Sequence, residues 1–356
     1  MQLEQLIAKI GLLDEAAMAA AAARQDNLTK PLGSLGRLEE VSIRLAGIAG
    51  TCPPPVPARK AVIVFAGDHG VVAQGVSAYP KDVTPEMVYN FLHGGAAINV
   101  LSRQAGARVV VVDAGVDADL APGEGLIIAK VAPGTADMTA GPAMSREQAL
   151  ASLAAGARVA GDEIARGLDL LACGEMGIGN STPAAAITAV LTGCSPREVT
   201  GHGTGIDEAG LERKVAVIER AIAANRPDPA QGLEVLAKVG GFEIGGIAGA
   251  MLAAAAARVP IMVDGFIATA GALVAVSLAP AAREYMFAGH CSQEPGHKVA
   301  LKHLGLVPLL DLNMRLGEGT GATLAMYLVE ASARILREMA TFAEAGVSEK
   351  TEEPQA

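Results

Sequence analysis

Tryptophan is absent from the 356 residues and aromatic side chains make up only 3%, so little in the chain could stack the bases of a nucleic-acid strand. Basic clusters are missing as well, and the net charge is -10, which excludes a groove built for a polyanion. Nucleic acid is therefore not an expected partner. Cysteine is scarce: Cys52, Cys173, Cys194 and Cys291 lie far apart with no CxxC pair, which suggests neither a zinc knuckle nor a disulfide framework. Reduced thiols in a cytoplasm fit this usage. The opening segment is interrupted by Glu and Asp and has no basic stretch ahead of an apolar core, so it does not read as a signal peptide. The histidines, His69, His93, His202, His290, His297 and His303, form no HxH or HExxH spacing. No acidic pair precedes a GTT-like loop of the kind that binds pyrophosphorylated ribose with magnesium. Neither a metal nor a cofactor is expected.

Long apolar runs are nearly absent too. Gly265 to Ala282, GFIATAGALVAVSLAPAA, is uncharged but consists mostly of Ala, Gly, Ser and Thr and contains Pro280, so it reads as a buried helix rather than a membrane span. Hydrophobic residues at 51% and charged residues at 19% describe an ordinary globular protein shifted toward Ala and Gly. The length exceeds what one core usually supports, which favours a large domain plus a smaller appendage.

Short β-rich runs do recur, each followed by a glycine turn and a helical pattern: AVIVFAGDHG (61 to 70), ARVVVVDAGV (107 to 116), DLLACGEMGIGN (169 to 180), VPIMVDGF (259 to 266) and EYMFAGH (284 to 290), with GLIIAKV (125 to 131) as a further candidate. Strands apolar on both faces belong between helix layers, so the fold class is α/β, a Rossmann-like parallel sheet flanked by helices. One helix is predicted over Pro85 to Ala105 with Thr84 as its cap, and another over Asn180 to Leu191. Leu324, Leu328, Ile335, Met339 and Phe342 predict one face of a long helix beginning near Thr320. The chain is also expected to be helical to about Arg24. Residues 1–28 and 328–356 would then form a small helical subdomain, and 29–327 the large α/β domain. The last ten residues, 347 to 356, read as a solvated tail.

In such sheets ligands lie beyond the carboxyl ends of the strands, which directs attention to the polar turns there. GEMGIGNST (174 to 182) allows close backbone approach and aims helix-start N–H groups toward an anion. Glu175 within it is a carboxylate that packing alone does not call for. GHGTGID (201 to 207) is a second glycine-rich loop, followed by Lys214, which either supplies a point charge to that loop or is a solvated lysine. In GDHG, Asp68 and His69 suit hydrogen bonds to backbone or to substrate hydroxyls. RLGEGTGATLA (315 to 325) sets Glu318 among glycines ahead of a helix. Burial there would raise its pKa toward neutrality, the condition for a general base.

Together these residues resemble the nicotinate-nucleotide:dimethylbenzimidazole phosphoribosyltransferase family. The matching segments run almost the full chain: KPLGSLGRLEE (30 to 40), VFAGDHGVVAQGVSAYPKDVT (64 to 84), GGAAINVL (94 to 101), DAGVDA (113 to 118), GPAMSREQA (141 to 149), GEMGIGNSTPAAA (174 to 186), KVGGFEIGGIAGAML (238 to 252), DGFIATAGAL (264 to 273) and MRLGEGTGA (314 to 322). The resemblance implies transfer of 5-phosphoribose from nicotinate mononucleotide to 5,6-dimethylbenzimidazole, with inversion at C1'. It implies Glu318 as the base that takes the benzimidazole proton. Glu175 either meets the charge that migrates to ribose or holds the ring N–H together with Glu318. Gly177, Gly179, Asn180 and Ser181, with Gly203 and Lys214, would hold the 5'-phosphate. Tyr79, Met87 and Met176 would line the benzimidazole pocket, with Gly317 opening the approach to Glu318. Asp264 and Ser292 would contact substrate or order the site. The chain departs from the family pattern at His202, where an Arg is expected. A homodimer is what the family suggests.

Two other readings share these features. A Rossmann-type dehydrogenase would need the GxGxxG fingerprint with an acid about twenty residues later, and the chain lacks it. A nucleotide-sensing protein of the same fold without turnover remains the alternative from a different class.

Overall fold

The computed structural model describes residues 3–203 and 205–348. Residues 349–356 of the expected tail, and Thr204 in the second glycine-rich loop, lie outside the described residues.

Six strands form a wholly parallel sheet: β1 (Lys60–Gly67), β2 (Ala107–Gly115), β3 (Leu126–Ile128), β4 (Leu170–Met176), β5 (Ile261–Val263) and β6 (Met286–Ala288). Their order is β3-β2-β1-β4-β5-β6. Each expected run supplies one strand, and β1 is buried from end to end, as its two apolar faces require. Val62 and Phe65 differ in strand parity and so face opposite sides. A Cβ on Gly246 would lie 2.7 Å from Phe65, whereas one on Gly319 would lie 2.7 Å from Val62. The helix Phe242–Ala256 therefore covers one face and the start of the helix Thr320–Glu338 the other. Small residues make the helical layer thin: a Cβ on Gly156 would sit 1.8 Å from Gly246 O, so the helices Arg146–Ala165 and Phe242–Ala256 touch backbone to backbone.

The uncharged segment from Gly265 is the buried helix Phe266–Leu278. Among the described residues no helix is long and apolar enough to cross a membrane. Three helical expectations need correction. The helix expected over Pro85 to Ala105 is two, Val83–Leu92 and Ala97–Ala105, because Gly94 turns left-handed (φ 76°) and Gly95 packs against Asn90. Thr84 is consequently inside a helix rather than at its cap. The N-terminal helical region is broken into Leu3–Ile7 and Glu15–Asn27, the second restarted by Asp14, whose side chain accepts the Ala17 N–H at 2.8 Å. The long C-terminal helix ends at Glu338, ahead of Met339 and Phe342.

The chain divides into two compact units. One comprises the segment ending at Gly11 together with Arg59–Met326 and contains the whole sheet. The other comprises Leu12–Ala58 and the chain from Tyr327 onward. Its helices Glu15–Asn27 and Arg37–Ala49 pack around Ala17, Ala21, Ala46 and Leu336, and a buried ion pair joins Lys30 to Glu39 at 2.8 Å.

Candidate active site

Strand order reverses between β1 and β4, with the chain crossing outward in both directions, and the region beyond their carboxyl ends is where sheets of this kind hold ligands. Glu175 occupies that end of β4, aligned with Phe65 of β1. It is 7% exposed, and burial pushes its carboxyl up to about 8. The Asn180 side-chain amide donates to its Oε2, which opposes the shift, while the charges of Asp264 and Glu243 add to it.

The second acid arrives from the other end of the sequence. Gly317, Glu318 and Gly319 all have positive φ (86°, 62° and 91°). Glycine adopts this region freely, but for Glu318 the conformation is strained and must be held by its surroundings. Packing does so. A Cβ on Gly317 would fall 2.1 Å from Glu175 Oε1, and one on Gly174 would fall 2.1 Å from Glu318 O. The glycines therefore bring two chain segments into contact and set Glu318 beside Glu175. The Glu318 carboxylate does not cap the helix that follows it in sequence. Its Oε2 accepts the Ile98 N–H at 3.2 Å, in the first turn of the helix Ala97–Ala105. Burial raises its pKa and the charge of Asp264 raises it further, while the Ile98 N–H favours the ionised form.

Asp264, just past β5, holds this loop. Its Oδ2 accepts Gly319 N–H at 3.1 Å and its Oδ1 accepts Ala322 N–H at 2.8 Å, so both oxygens cap the helix Thr320–Glu338. His290 lies buried beside it, with Nε2 3.9 Å from Asp264 Oδ1 and neither ring nitrogen hydrogen-bonded. Gly321 is packed flush against that ring, since a Cβ there would meet His290 Cδ2 at 2.0 Å.

A cationic cradle adjoins the acids. Gly177 and Gly179 lead through Asn180 into the helix Ser181–Thr192, a turn closed by Asn180 N–H donating to Gly177 O at 3.1 Å and Thr182 N–H to Gly179 O at 2.9 Å, so that the positive end of the helix dipole faces the glycines. Lys214 is 1% exposed, which removes the reading of a solvated lysine. Its Nζ donates to Ser181 Oγ at 2.9 Å and to Gly201 O at 3.4 Å, and burial pulls its pKa down to about 8. Gly203 lies against both, with a Cβ position 2.9 Å from Ser181 Oγ and 3.1 Å from Lys214 Nζ. Its N–H donates to Glu294 Oε1 at 3.1 Å, and the Glu294 N–H in turn donates to Ser292 Oγ at 3.3 Å. Ser292 N–H donates to Nδ1 of the buried His297 at 2.8 Å. His202 is exposed, and Arg315 instead donates to Gly203 O at 2.8 Å, so a guanidinium reaches this loop from the Glu318 segment.

The structure thus gathers Glu175, Glu318, Gly317, Asp264 and Asn180, and joins to them Gly177, Gly179, Ser181, Gly203, Lys214 and Ser292. Met176 pairs with Ala66 at the strand ends. Tyr79 is exposed, on a turn, and Met87 is half-buried on the helix Val83–Leu92. Sequence reasoning overlooked Glu243, His290 and Glu294. Glu243 carried a usable signal, an acid between paired glycines in GGFEIGG, the same pattern that marked Glu318. Asp68 Oδ2 accepts Asp117 N–H at 2.8 Å, and the Thr84 hydroxyl also hydrogen-bonds its carboxylate. Among the described residues no group of three His, Cys, Asp or Glu is arranged to hold a metal ion.

Comparison with known proteins bears on this geometry. A family described as phosphoribosyltransferase matches residues 10–347. The chain is 60% identical over 347 residues to the nicotinate-nucleotide–dimethylbenzimidazole phosphoribosyltransferase of Chloroflexus aurantiacus, covering 98% of this chain and 99% of that protein. It is 59% identical to the protein of the same name from Desulforudis audaxviator, covering 98% of each. The crystal structure of the Thermus thermophilus protein bearing this name superposes with a TM-score of 0.91 at 52% identity, covering 95% of this chain and all of that one.

Proposed function

We propose a mechanism from one premise: this chain belongs to the nicotinate-nucleotide–dimethylbenzimidazole phosphoribosyltransferase family. It moves the 5-phosphoribosyl group of nicotinate mononucleotide to 5,6-dimethylbenzimidazole, giving α-ribazole 5'-phosphate and free nicotinate. The observation that carries the assignment of roles is the pair of buried acids, Glu175 and Glu318, beside a cradle of glycine backbone and Lys214.

The lone-pair nitrogen of dimethylbenzimidazole attacks C1' as the C1'–N bond to nicotinate breaks and its electron pair returns to the pyridine ring. Attack from the opposite face inverts C1' from β to α. The leaving ring needs no acid, because it departs from a pyridinium as a neutral pyridine. The proton that must go is on the other ring nitrogen of the benzimidazole, and Glu318 takes it. The two carboxyls divide the work by their surroundings. Glu175, pushed up to about 8, carries a proton in the resting site near pH 7. Glu318 has a backbone N–H to favour its anion and is the group that starts as a base. Positive charge then moves from the pyridinium to the ribose, and the carbonyl dipole of the neutral Glu175 carboxyl, held by Asn180, is what the site offers to it. The Gly177 to Ser181 backbone and Lys214 hold the 5'-phosphate, and Gly203 closes that side. Asp264 orders the Glu318 loop, and Ser292 orders the Gly203 loop through Glu294. Tyr79, Met87 and Met176 border the aromatic acceptor, with Gly317 on the side of Glu318.

The protein works in the cytoplasm, a reading supported by unpaired cysteines among the described residues. It works as a homodimer, supported by the exposed apolar side chains Val307, Leu312 and Leu316 on a single segment. Sedimentation of the pure protein checks the second point.

The decisive experiment is Glu318→Gln. Turnover should fall by about 10²- to 10⁴-fold, roughly 3 to 5.5 kcal/mol of barrier, with little change in mononucleotide affinity. Nicotinate release at a near-normal rate would remove Glu318 as the base. An absence of nicotinate release from the wild-type protein at every pH would favour a non-catalytic sensor instead.

A further inference from the structure

Below the cradle lies a second pair of ionisable groups to which the mechanism above gives no task. His69 follows β1 and Glu243 opens the helix Phe242–Ala256, so one element from the strand side and one from the helix layer meet under the switch point. His69 Nε2 lies 2.9 Å from Glu243 Oε1, and the two side chains are 1% and 0% exposed. Nε2 and Oε1 are each other's partners in this ion pair, whereas His69 Nδ1 and Glu243 Oε2 lack a hydrogen-bond partner. A buried ion pair with one unpaired atom on each side is costly, and a pair kept at such cost calls for a role outside simple packing.

The surrounding glycines indicate that role. A Cβ on Gly241 would fall 2.5 Å from His69 Cε1 and 2.6 Å from Glu243 Oε2, and one on Gly67 would fall 3.0 Å from Glu243 Oε2. A Cβ on Gly177 would fall 2.2 Å from Gly67 O and 3.4 Å from His69 Nε2. Three elements have therefore given up side chains to close around one imidazole and one carboxylate, and the third of these, Gly177, begins the phosphate turn. The same turn is pinned from above by Thr84, whose Oγ1 accepts Ile178 N–H at 3.1 Å. The His69 backbone is fixed independently, because Gly70 N–H donates to Thr135 O at 3.0 Å and Thr135 N–H to Asp68 O at 3.0 Å. Glu243 is fixed by its place in the first helical turn, where free N–H groups favour an anion.

We propose that His69 and Glu243 are a positioning pair for the phosphoribosyl donor: the imidazole supports the turn at Gly177, and the carboxylate holds the imidazole in place. The pair touches neither reacting atom. Its work is to keep the turn of residues 177–181 in the shape that receives the phosphate, and it rests on the reading that the 5'-phosphate sits there. The neighbouring charge of Glu243 also contributes to keeping Glu175 protonated, so loss of the pair reaches the donor side of the site first.

The test uses His69→Asn, Glu243→Gln and the double variant, with initial rates measured while each substrate is varied in turn. The apparent KM for nicotinate mononucleotide should rise about 10-fold or more in each single variant, while the KM for dimethylbenzimidazole stays within about 2-fold. The double variant should lose no more than the worse single one, as expected of two residues acting as a unit. Should a variant not fold, Glu243→Asp keeps the charge and withdraws it by one methylene, and the same split between the two KM values is expected. An unchanged mononucleotide KM, equal rises for both substrates, or multiplying losses in the double variant would each overturn the proposal. Lys214→Ala, run in parallel, separates the two readings. If it leaves mononucleotide KM unchanged, the cradle itself is misassigned. If it raises that KM while the His69 and Glu243 variants do not, only the positioning role fails.

Discussion

At the scale of single residues, burial decides the chemistry of this site more than residue type does. Lys214 and Glu175 are both brought to about 8, from opposite directions, because each charged form loses solvation. For Lys214 this predicts that kcat/KM for nicotinate mononucleotide falls as pH rises through about 8, since the free enzyme then loses the cation proposed to meet the phosphate. Lys214→Arg should make that descending limb shallower, leaving only the part that Glu175 contributes at the same pH, because guanidinium does not deprotonate there. For Glu175 the prediction concerns stability. Its folded pKa of about 8 lies above the ordinary 4.5, so the unfolded chain releases this proton first and the contribution to stability is lost as pH rises from 4.5 to 8. Glu175→Gln abolishes that loss. The melting temperature of the variant relative to wild type should therefore be higher at about pH 9 than at about pH 5, and an unchanged difference across that range would contradict it. Glu175, Glu318 and Lys214 were legible as candidates because charged residues beside glycine turns stand out from apolar strands. Glu243 bore the same mark and was overlooked, since a first-turn acid has an ordinary explanation until its burial is known.

At the scale of elements, the start of the helix Thr320–Glu338 is the critical joint. Two of its backbone N–H groups end on Asp264, and the left-handed turn ahead of it presents Glu318. Asp264→Ala strands both donors in a buried place and should cost about 2 kcal/mol or more by calorimetry, with turnover falling because Glu318 is no longer fixed. Gly174→Ala is a sharper test. The new Cβ would meet Glu318 O at 2.1 Å, a backbone atom that cannot move without carrying Glu318 with it. Turnover should drop by about 10²-fold, the effect of displacing the proposed base by about 1 Å. A near-normal rate for Gly174→Ala would show that the loop has room to relax. The sequence made all six strands visible, yet it ran two helices together at Gly94. Apolar periodicity continues across that break, and only the left-handed φ at Gly94 and the packing of Gly95 on Asn90 interrupt the helix.

At the scale of the whole molecule, the site exists because the parallel sheet reverses its order between β1 and β4. Residues 174 to 182, 201 to 203, 205 to 214, 264, 292 and 315 to 319 are spread along the chain and are gathered in one sheet-bearing unit. A ligand that binds only the folded unit should stabilise it by mass action. Nicotinate mononucleotide at about 100 times its Kd should add about 2.7 kcal/mol to that unit, and Lys214→Ala should shrink the shift. Calorimetry is the suitable measurement, because the chain has no tryptophan to report unfolding.

The sequence by itself determined the fold class, the strand positions and the glycine-rich turns, because period and turn chemistry are local properties of the chain. It also carried the family resemblance, in motifs whose order and content are specific. Only the tertiary structure decided how the charges meet. It moved Glu318 from its own helix to the N-terminus of another, buried Lys214, gave Asp264 a capping duty and paired His69 with Glu243. Those facts depend on distances between segments far apart in the chain and on the water that folding excludes from between them, and neither is written in any local stretch of residues.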